Sequence, residues 1–173
     1  MPLPLGHATI GFAIQHLFSR DDSIHKLWRI ACFIVIISNL PDIDILIGLL
    51  TQGNGLAYHR GPTHSLLFAL TIGALASQSF RLWSKIPKID FTICFTIILS
   101  HVMSDLFLTS SPVSLLWPFE VHWVYGYSGW LDVMHSVFFN TFRDAGIIVV
   151  CTMLILLKHV VMKYSVQLNS MFK

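Results

Sequence analysis

The chain alternates between long apolar runs and short polar connections. A transmembrane helix needs about 20 apolar residues to cross the hydrocarbon core of a bilayer, and about 17 are tolerated. The second, fourth and fifth runs meet this length, whereas the first and third are short enough to be partial or tilted spans. We therefore predict an all-α fold, a multi-pass transmembrane helical bundle of about five membrane segments, in one integral-membrane domain over residues 1–173. The runs are Leu3–Phe18, Leu27–Leu50, Ser65–Phe80, Phe91–Leu108 and Ala145–Met162.

The composition agrees with a chain that is surrounded by lipid. Hydrophobic residues make up 54% of the sequence and charged residues 12%, and the charged share is about half that of a soluble domain. So few charges could hardly cover a water-soluble surface of this size. A formal net charge of +2 gives no reason to expect nucleic-acid binding. The start, "MPLPLGHATIGF", lacks the basic segment of a cleavable signal peptide.

The basic residues fall on one side of the predicted bundle. If five segments alternate in direction, nine of the eleven lysines and arginines lie on a single side, and only Arg60 and Arg143 lie on the other. Positive charge favours the cytoplasmic side of a membrane, so the N-terminus and the loop "HRGPTHS", residues 59–65, are predicted to face the non-cytoplasmic side. The nine residues are Arg20, Lys26, Arg29, Arg81, Lys85, Lys88, Lys158, Lys163 and Lys173.

Histidines and aspartates from four parts of the chain are expected at one depth on that side. His101 and Asp105 are four residues apart in "SHVMSD" and share a helix face. Pro41 is expected to break the second segment, which lets two nearby carboxylates both point inward. A lone aspartate at the centre of a membrane helix costs about 2.5–3.5 kcal/mol, and a bound cation would offset this cost. The seven candidate metal ligands are His7, Asp42, Asp44, His59, His64, His101 and Asp105.

These ligand types suit a divalent metal, with zinc the first expectation and manganese or iron(II) the alternatives. A catalytic zinc ion has about three protein ligands, fewer than the seven candidates. The site could therefore hold one ion with supporting residues, or two ions. Each residue alone would more often be a helix cap or part of a packed pair. His122 and His135 are reserve candidates on the same side, whereas His16, His25 and His159 are expected at the basic interface.

The loop "HRGPTHS" carries further predictions. Gly61-Pro62 forces a turn between its histidines. Thr63 or Ser65 caps the third segment, and the partial positive charge of that helix terminus keeps His64 neutral for coordination. Arg60 is the catalytic candidate, because a guanidinium can clamp a phosphate or stabilise charge that develops in a transition state. A surface charge at Arg60 and a simple capped turn are the alternatives.

At these residues the sequence resembles the membrane-bound metal-dependent hydrolases typified by LexA-binding, inner-membrane-associated proteins of bacteria. The chain departs from the family pattern at Ile45, where a histidine often follows the PDxD motif, and at "TSSPVS", which lacks the family's frequent glycine. The resemblance implies a helical protein of the bacterial inner membrane and a metal role for the same seven residues. The matching motifs are Gly6-His7, "LPDID" at Leu40–Asp44, "HRGPTHSLL" at His59–Leu67 and "LSHVMSDLFLTSSPVSLLWPF" at Leu99–Phe119.

The leading functional hypothesis is a metal-dependent hydrolase whose activated water attacks an ester or phosphoester at the outer membrane–water interface. One of Asp42 and Asp44 is a candidate general base, provided that it does not ligate the metal. Membrane lipid is the expected partner, a lipid-like or phosphoester substrate fits the location, and no direct contact with nucleic acid is expected. One alternative is a metal-ion transporter, which would need polar groups through the inner half of the bundle. Another is a membrane scaffold stabilised by a structural metal.

Overall fold

The computed structural model describes residues 4–18, 27–108, 112–119, 121–123 and 144–171, with side chains to residue 164. Within these ranges nearly all regular structure is helical, and the β-pairing is an isolated antiparallel bridge between Val113 and Trp123. The all-α prediction is therefore confirmed. The helices are α1 (Pro4–Phe18), α2 (Leu27–Asn39), α3 (Ile43–Gln52), α4 (Leu66–Gln78), α5 (Phe91–Leu108) and α6 (Ala145–Met171), with 3₁₀ turns at Leu40–Asp42, Pro62–His64 and Ser79–Arg81.

Three of the predicted membrane segments are long and apolar enough to cross a bilayer. They are Leu27–Gln52, which combines α2 and α3, then Phe91–Leu108 and Ala145–Tyr164. Helix α1 has 15 residues, and α4 with its following turn forms a shorter apolar helix over Leu66–Arg81. Both are shorter than the roughly 17 residues that a perpendicular span needs. Within the described ranges, the five predicted segments are thus three full-length helices and two short ones.

Pro41 interrupts the second segment, as predicted. Helix α2 ends at Asn39, a 3₁₀ turn follows, and α3 begins at Ile43. Proline has no amide hydrogen for a helical bond and its ring displaces the preceding carbonyl, so a regular helix cannot continue through it. In a continuous helix two residues advance by about 200°, which would separate Asp42 from Asp44. The break lets both carboxylates approach the same loop histidines.

The helices pack around an apolar core that lies beneath this break. Helix α1 contacts α2, α5 and α6, and α4 contacts α5. The α4–α5 approach is closest at Gly73, where an added Cβ would lie 2.9 Å from the Cα atom of Phe95. Small residues permit such close backbone contact between membrane helices. The buried core consists of Ile14, Ile34, Ile37, Ala69, Ala76, Ile89, Cys94, Ile97 and Ile98.

One end of the bundle carries the candidate metal ligands. Starts and ends of successive helices alternate there. They are the start of α1, the end of α2, the start of α4, the end of α5 and the start of α6. Arg29, Lys85 and Lys88 lie at the opposite end, around a shared cavity. Within the described residues, the seven candidate ligands therefore lie at one end of the bundle and these three basic side chains lie at the other.

Candidate metal centre

The structure brings together the side chains of all seven candidate ligands. Two Nε2 atoms approach Asp42 Oδ1, that of His101 at 3.4 Å and that of His64 at 3.6 Å. The Nε2 atom of His64 also lies 3.6 Å from Asp105 Oδ2, and the Nε2 atom of His7 lies 3.7 Å from Asp105 Oδ1. Around a tetrahedral ion with metal–ligand distances of about 2.1 Å, neighbouring ligand atoms lie about 3.4 Å apart. The observed separations are close to this value.

Two overlapping groups of side chains could hold a metal ion. In each group one ligand atom from every residue lies within 4.8 Å of the others. Asp105 belongs to both groups, and its two oxygens face different histidines, His7 and His64. The larger group is Asp42, His59, His64 and Asp105, and the smaller one is His7, His101 and Asp105.

The four histidines of the cluster share one hydrogen-bonding pattern. Each Nδ1 atom has a nearby oxygen, whereas each Nε2 atom is buried and has no hydrogen-bond partner among the described residues. A buried polar atom without a partner is costly. A histidine that is oriented through one ring nitrogen and presents the other is the usual arrangement of a metal ligand. The Nδ1 contacts are the carbonyl of Ser38 for His101 at 2.7 Å, and Asp44 for His59, Ser104 for His7 and Thr63 for His64, each at 3.1 Å.

Asp44 differs from the other candidates because it belongs to neither group. Its Oδ2 atom accepts hydrogen bonds from the hydroxyl of Thr63 at 2.6 Å and from the backbone amide of Arg60 at 3.1 Å. Its Oδ1 atom accepts from His59 Nδ1 at 3.1 Å. These contacts fix the loop and the ring of His59. The sequence analysis predicted that Asp44 binds the metal directly. Its geometry is better suited to holding the ligands in place.

Arg60 is buried, with 6% of its surface exposed. Its Nε atom lies 3.4 Å from Asp105 Oδ2, so the alternative of a solvated surface charge is wrong. Its φ angle of 68° is in the left-handed region, which costs a non-glycine residue about 1–3 kcal/mol. The hydrogen bond from its amide to Asp44 and the 3.1 Å bond from the Ser114 amide to its carbonyl stabilise this conformation.

The rest of the loop follows the expected turn chemistry. Pro62 begins a 3₁₀ turn, and the amide of Gly61 donates to the carbonyl of Tyr58 at 3.1 Å. Ser65 is the cap of α4, since its Oγ atom accepts from the amide of Phe68 at 3.1 Å. Of the two predicted caps, Ser65 is therefore the one that the fold uses.

The electrostatic surroundings of His64 favour positive charge. Burial lowers the pKa of His64, but the nearby carboxylates of Asp105, Asp42 and Asp44 outweigh burial and raise the pKa to about 10. The three carboxylates thus outweigh the N-terminus of α4, whose partial positive charge by itself disfavours a proton on this imidazole; the neutral form of His64 that coordination needs stays a prediction. Carboxylates that favour a proton so strongly also favour a divalent cation.

Asp144 and Ser104 support the cluster and were missed by the sequence analysis. The amide of Gly6 donates to Asp144 Oδ2 at 2.7 Å, which joins α1 to the start of α6. A Cβ atom on Gly6 would lie 2.8 Å from Asp144 Oδ1, so the glycine before His7 permits this contact. An aspartate directly before an apolar run indicates the start of a helix. This signal does not indicate that the side chain of Asp144 also contacts α1.

Of the two reserve candidates, His122 does not join the cluster. His122 is exposed, and its Nδ1 atom lies 3.1 Å from Ser114 Oγ. His16 and His159 lie on α1 and α6 and belong to neither ligand group. His25 and His135 lie outside the described residues.

The chain is similar in sequence to known inner membrane proteins. Over 93 residues it is 34% identical to inner membrane protein YbcI of Escherichia coli (strain K12), and the alignment covers 50% of this chain and 51% of that protein. The chain thus spans about half the length of this curated relative. No solved structure matches it. The family model described as YdjM inner membrane protein matches residues 1–167, and the chain therefore belongs to this family of inner membrane proteins.

Proposed function

We propose that the protein is a membrane-bound metal-dependent hydrolase that acts on esters or phosphoesters at the membrane surface. The observation that carries this proposal is the set of buried Nε2 atoms from four histidines, of which those of His7, His64 and His101 lie within 3.7 Å of a carboxylate oxygen of Asp42 or Asp105. Imidazole and carboxylate ligands suit zinc first, and manganese or iron(II) next. Because Asp105 belongs to both ligand groups, the arrangement accommodates one ion or a bridged pair.

The residues around the ligands have separate tasks. When bound, the metal lowers the pKa of a coordinated water toward about 7 and polarises the substrate oxygen. Asp42 is the most exposed of the three carboxylates, at 15% against 3% for Asp44 and 0% for Asp105, so the Asp42 oxygen that does not hold the metal can accept a proton from water that enters there. Asp44 holds His59 and the loop in place. Arg60 stabilises negative charge on the substrate beside Asp105.

The surroundings of the loop support a lipid-like substrate. The segment 112–119 is joined to the loop by hydrogen bonds from the Ser114 amide to the Arg60 carbonyl and from the Leu66 amide to the Leu115 carbonyl. Large apolar side chains just before the loop and on this segment are exposed, and an exposed apolar surface near the membrane suits acyl chains. They are Leu56, Tyr58, Leu116, Trp117 and Phe119.

Metal-ion transport is less well supported by the packing. Ile34, Ile97 and Ile98 are fully buried between the metal centre and the basic end of the bundle. A transport path would need polar groups or water at this depth, and the described core there is apolar. A scaffold with a structural metal shares the ligands but predicts no turnover.

Metal analysis of the full chain, purified in detergent, tests the centre. Wild-type protein should contain stoichiometric metal, and His64→Ala and Asp105→Ala should lose it. His122→Ala is the matched control, because His122 is exposed and lies outside the cluster. Absence of metal from the wild type after reconstitution with zinc, manganese or iron(II) would refute the proposal.

Turnover then separates a hydrolase from a scaffold. Metal-loaded protein should hydrolyse at least one member of a panel of aryl phosphates, aryl esters, phosphatidic acid and lysophospholipids. Arg60→Lys should keep the metal and lose most of its turnover, because an ammonium group cannot reproduce the planar fork of a guanidinium. Metal retention without hydrolysis of any of these compounds would favour the scaffold.

A further inference from the structure

A cavity of about 510 Å³ lies at the end of the bundle opposite to the metal centre. It is formed where the start of α2 meets the connection between α4 and α5. Its volume is within the range of small-molecule sites, about 300–1,000 Å³. We call it the basic cavity, and its lining includes Arg29, Phe80, Lys85, Ile86, Pro87 and Lys88.

The charged side chains among the described residues that line the basic cavity are all positive. Arg29, Lys85 and Lys88 line it, and within the described residues none of the three forms an ion pair with a carboxylate. Asp90 is nearby in the chain but does not belong to the lining. Three cations around one opening attract an anion, and phosphate is the anion that arginine and lysine bind most readily together.

The lining and its rim also match the membrane interface. Phe80, Ile86 and Pro87 supply apolar surface beside the cations, and Lys88 Nζ lies 5.6 Å from the centre of the Phe80 ring. Trp28 and Trp83 are exposed at 65% and 58% near the same opening. Exposed tryptophans next to basic residues are typical of the depth at which lipid headgroups lie.

We propose that the basic cavity binds the phosphate of an anionic phospholipid headgroup. The three cations contact the phosphate, and the apolar lining contacts the glycerol and the first part of the acyl chains. Basic pockets between membrane helices bind anionic headgroups in this manner. This inference is independent of the metal centre, because the two sites share no residue.

Lipid titration of the full chain in detergent, followed by native mass spectrometry, tests the proposal. The probes are dioleoylphosphatidylglycerol and dioleoylphosphatidylcholine, with inorganic phosphate and glycerol 3-phosphate as soluble competitors. The chain should retain phosphatidylglycerol in preference to phosphatidylcholine. Arg29→Gln, Lys85→Ala and Lys88→Ala should each weaken phosphatidylglycerol binding about fivefold.

Lys163→Ala is the matched control, because Lys163 is a lysine of α6 that does not line the cavity; its binding should be unchanged. Equal retention of both lipids, or an equal loss in Lys163→Ala, would overturn the proposal in favour of general surface attraction. Full displacement by millimolar phosphate would overturn it in favour of a soluble anion. Unchanged thermal unfolding and metal content of the variants verify that the fold and the metal centre are intact.

Discussion

Ser104 and His7 are linked in a way that fixes the tautomer of the imidazole. The Ser104 hydroxyl donates to the carbonyl of His101 at 2.8 Å, so its oxygen is left to accept from His7 Nδ1 at 3.1 Å. His7 then carries its proton on Nδ1, and the lone pair of Nε2 is directed toward Asp105. The Ser104 hydroxyl on α5 thereby leaves the Nε2 atom of His7 on α1 free of a proton, as metal coordination requires.

Removal of this hydroxyl should weaken the metal centre without abolishing it. We expect Ser104→Ala to lower metal affinity about 10–100-fold, the usual effect of losing a group that orients a ligand. Competition with a chelator of known affinity measures the change. Ser100→Ala is the control, since Ser100 is one turn away on α5 and its hydroxyl donates only to the carbonyl of Ile97 in the described structure. Equal losses in both variants would contradict the assigned role.

Asp42 and Asp44 should respond differently to the same substitution. Asp42→Asn removes a charge that lies 3.4 Å from one histidine and 3.6 Å from another, so the metal stoichiometry should fall. Asp44→Asn keeps only one acceptor oxygen, which can serve His59 or the loop donors but not both, so the stoichiometry should persist with about 10–100-fold weaker binding. Metal analysis and chelator competition separate the two results. Loss of all metal from Asp44→Asn alone would instead make Asp44 the essential ligand.

Asp144 should matter for stability as well as for the metal. Replacement by alanine leaves the buried amide of Gly6 without its 2.7 Å partner, which costs about 1–3 kcal/mol. We expect a lower free energy of unfolding for Asp144→Ala and partial recovery in Asp144→Asn, measured by chemical denaturation in detergent. Asp90 is exposed and lies at the other end of the bundle, so Asp90→Ala should change the free energy of unfolding much less. A stable Asp144→Ala variant with full metal affinity would show that α1 is positioned by packing alone.

The helices could be predicted closely from the sequence because apolar runs are a local signal. The bounds of α5, Phe91–Leu108, are identical to the predicted ones, and Pro41 breaks the second segment where expected. Helix α6 continues to Met171, beyond the predicted Met162. The end of an apolar run indicates where the chain leaves the lipid, whereas the helix itself can continue into water. The seven polar candidates were identified since ionisable groups are costly in a membrane.

The supporting contacts could not be predicted in the same way. Asp144 reaches Gly6 across 138 positions, and the role of Asp44 depends on how a loop folds over it. The raised pKa of His64 follows from three carboxylates on separate elements, whereas the sequence shows only the adjacent helix start. Such contacts depend on distances in the folded structure. The spacing of residues along the chain does not predict them.

The two polar ends of the bundle should be accessible from opposite sides of the membrane. Nine of the eleven basic residues lie on one predicted side, so the positive-inside rule predicts that the candidate metal centre faces the non-cytoplasmic side. Leu56 and Ser84 are exposed at the two ends, and Leu56→Cys and Ser84→Cys can be introduced after Cys32→Ala removes the exposed native thiol. We expect a membrane-impermeant maleimide to label only Leu56→Cys in intact cells and to label Ser84→Cys after permeabilisation. The reverse pattern would invert the orientation, and labelling of both in intact cells would contradict the alternation of the helices.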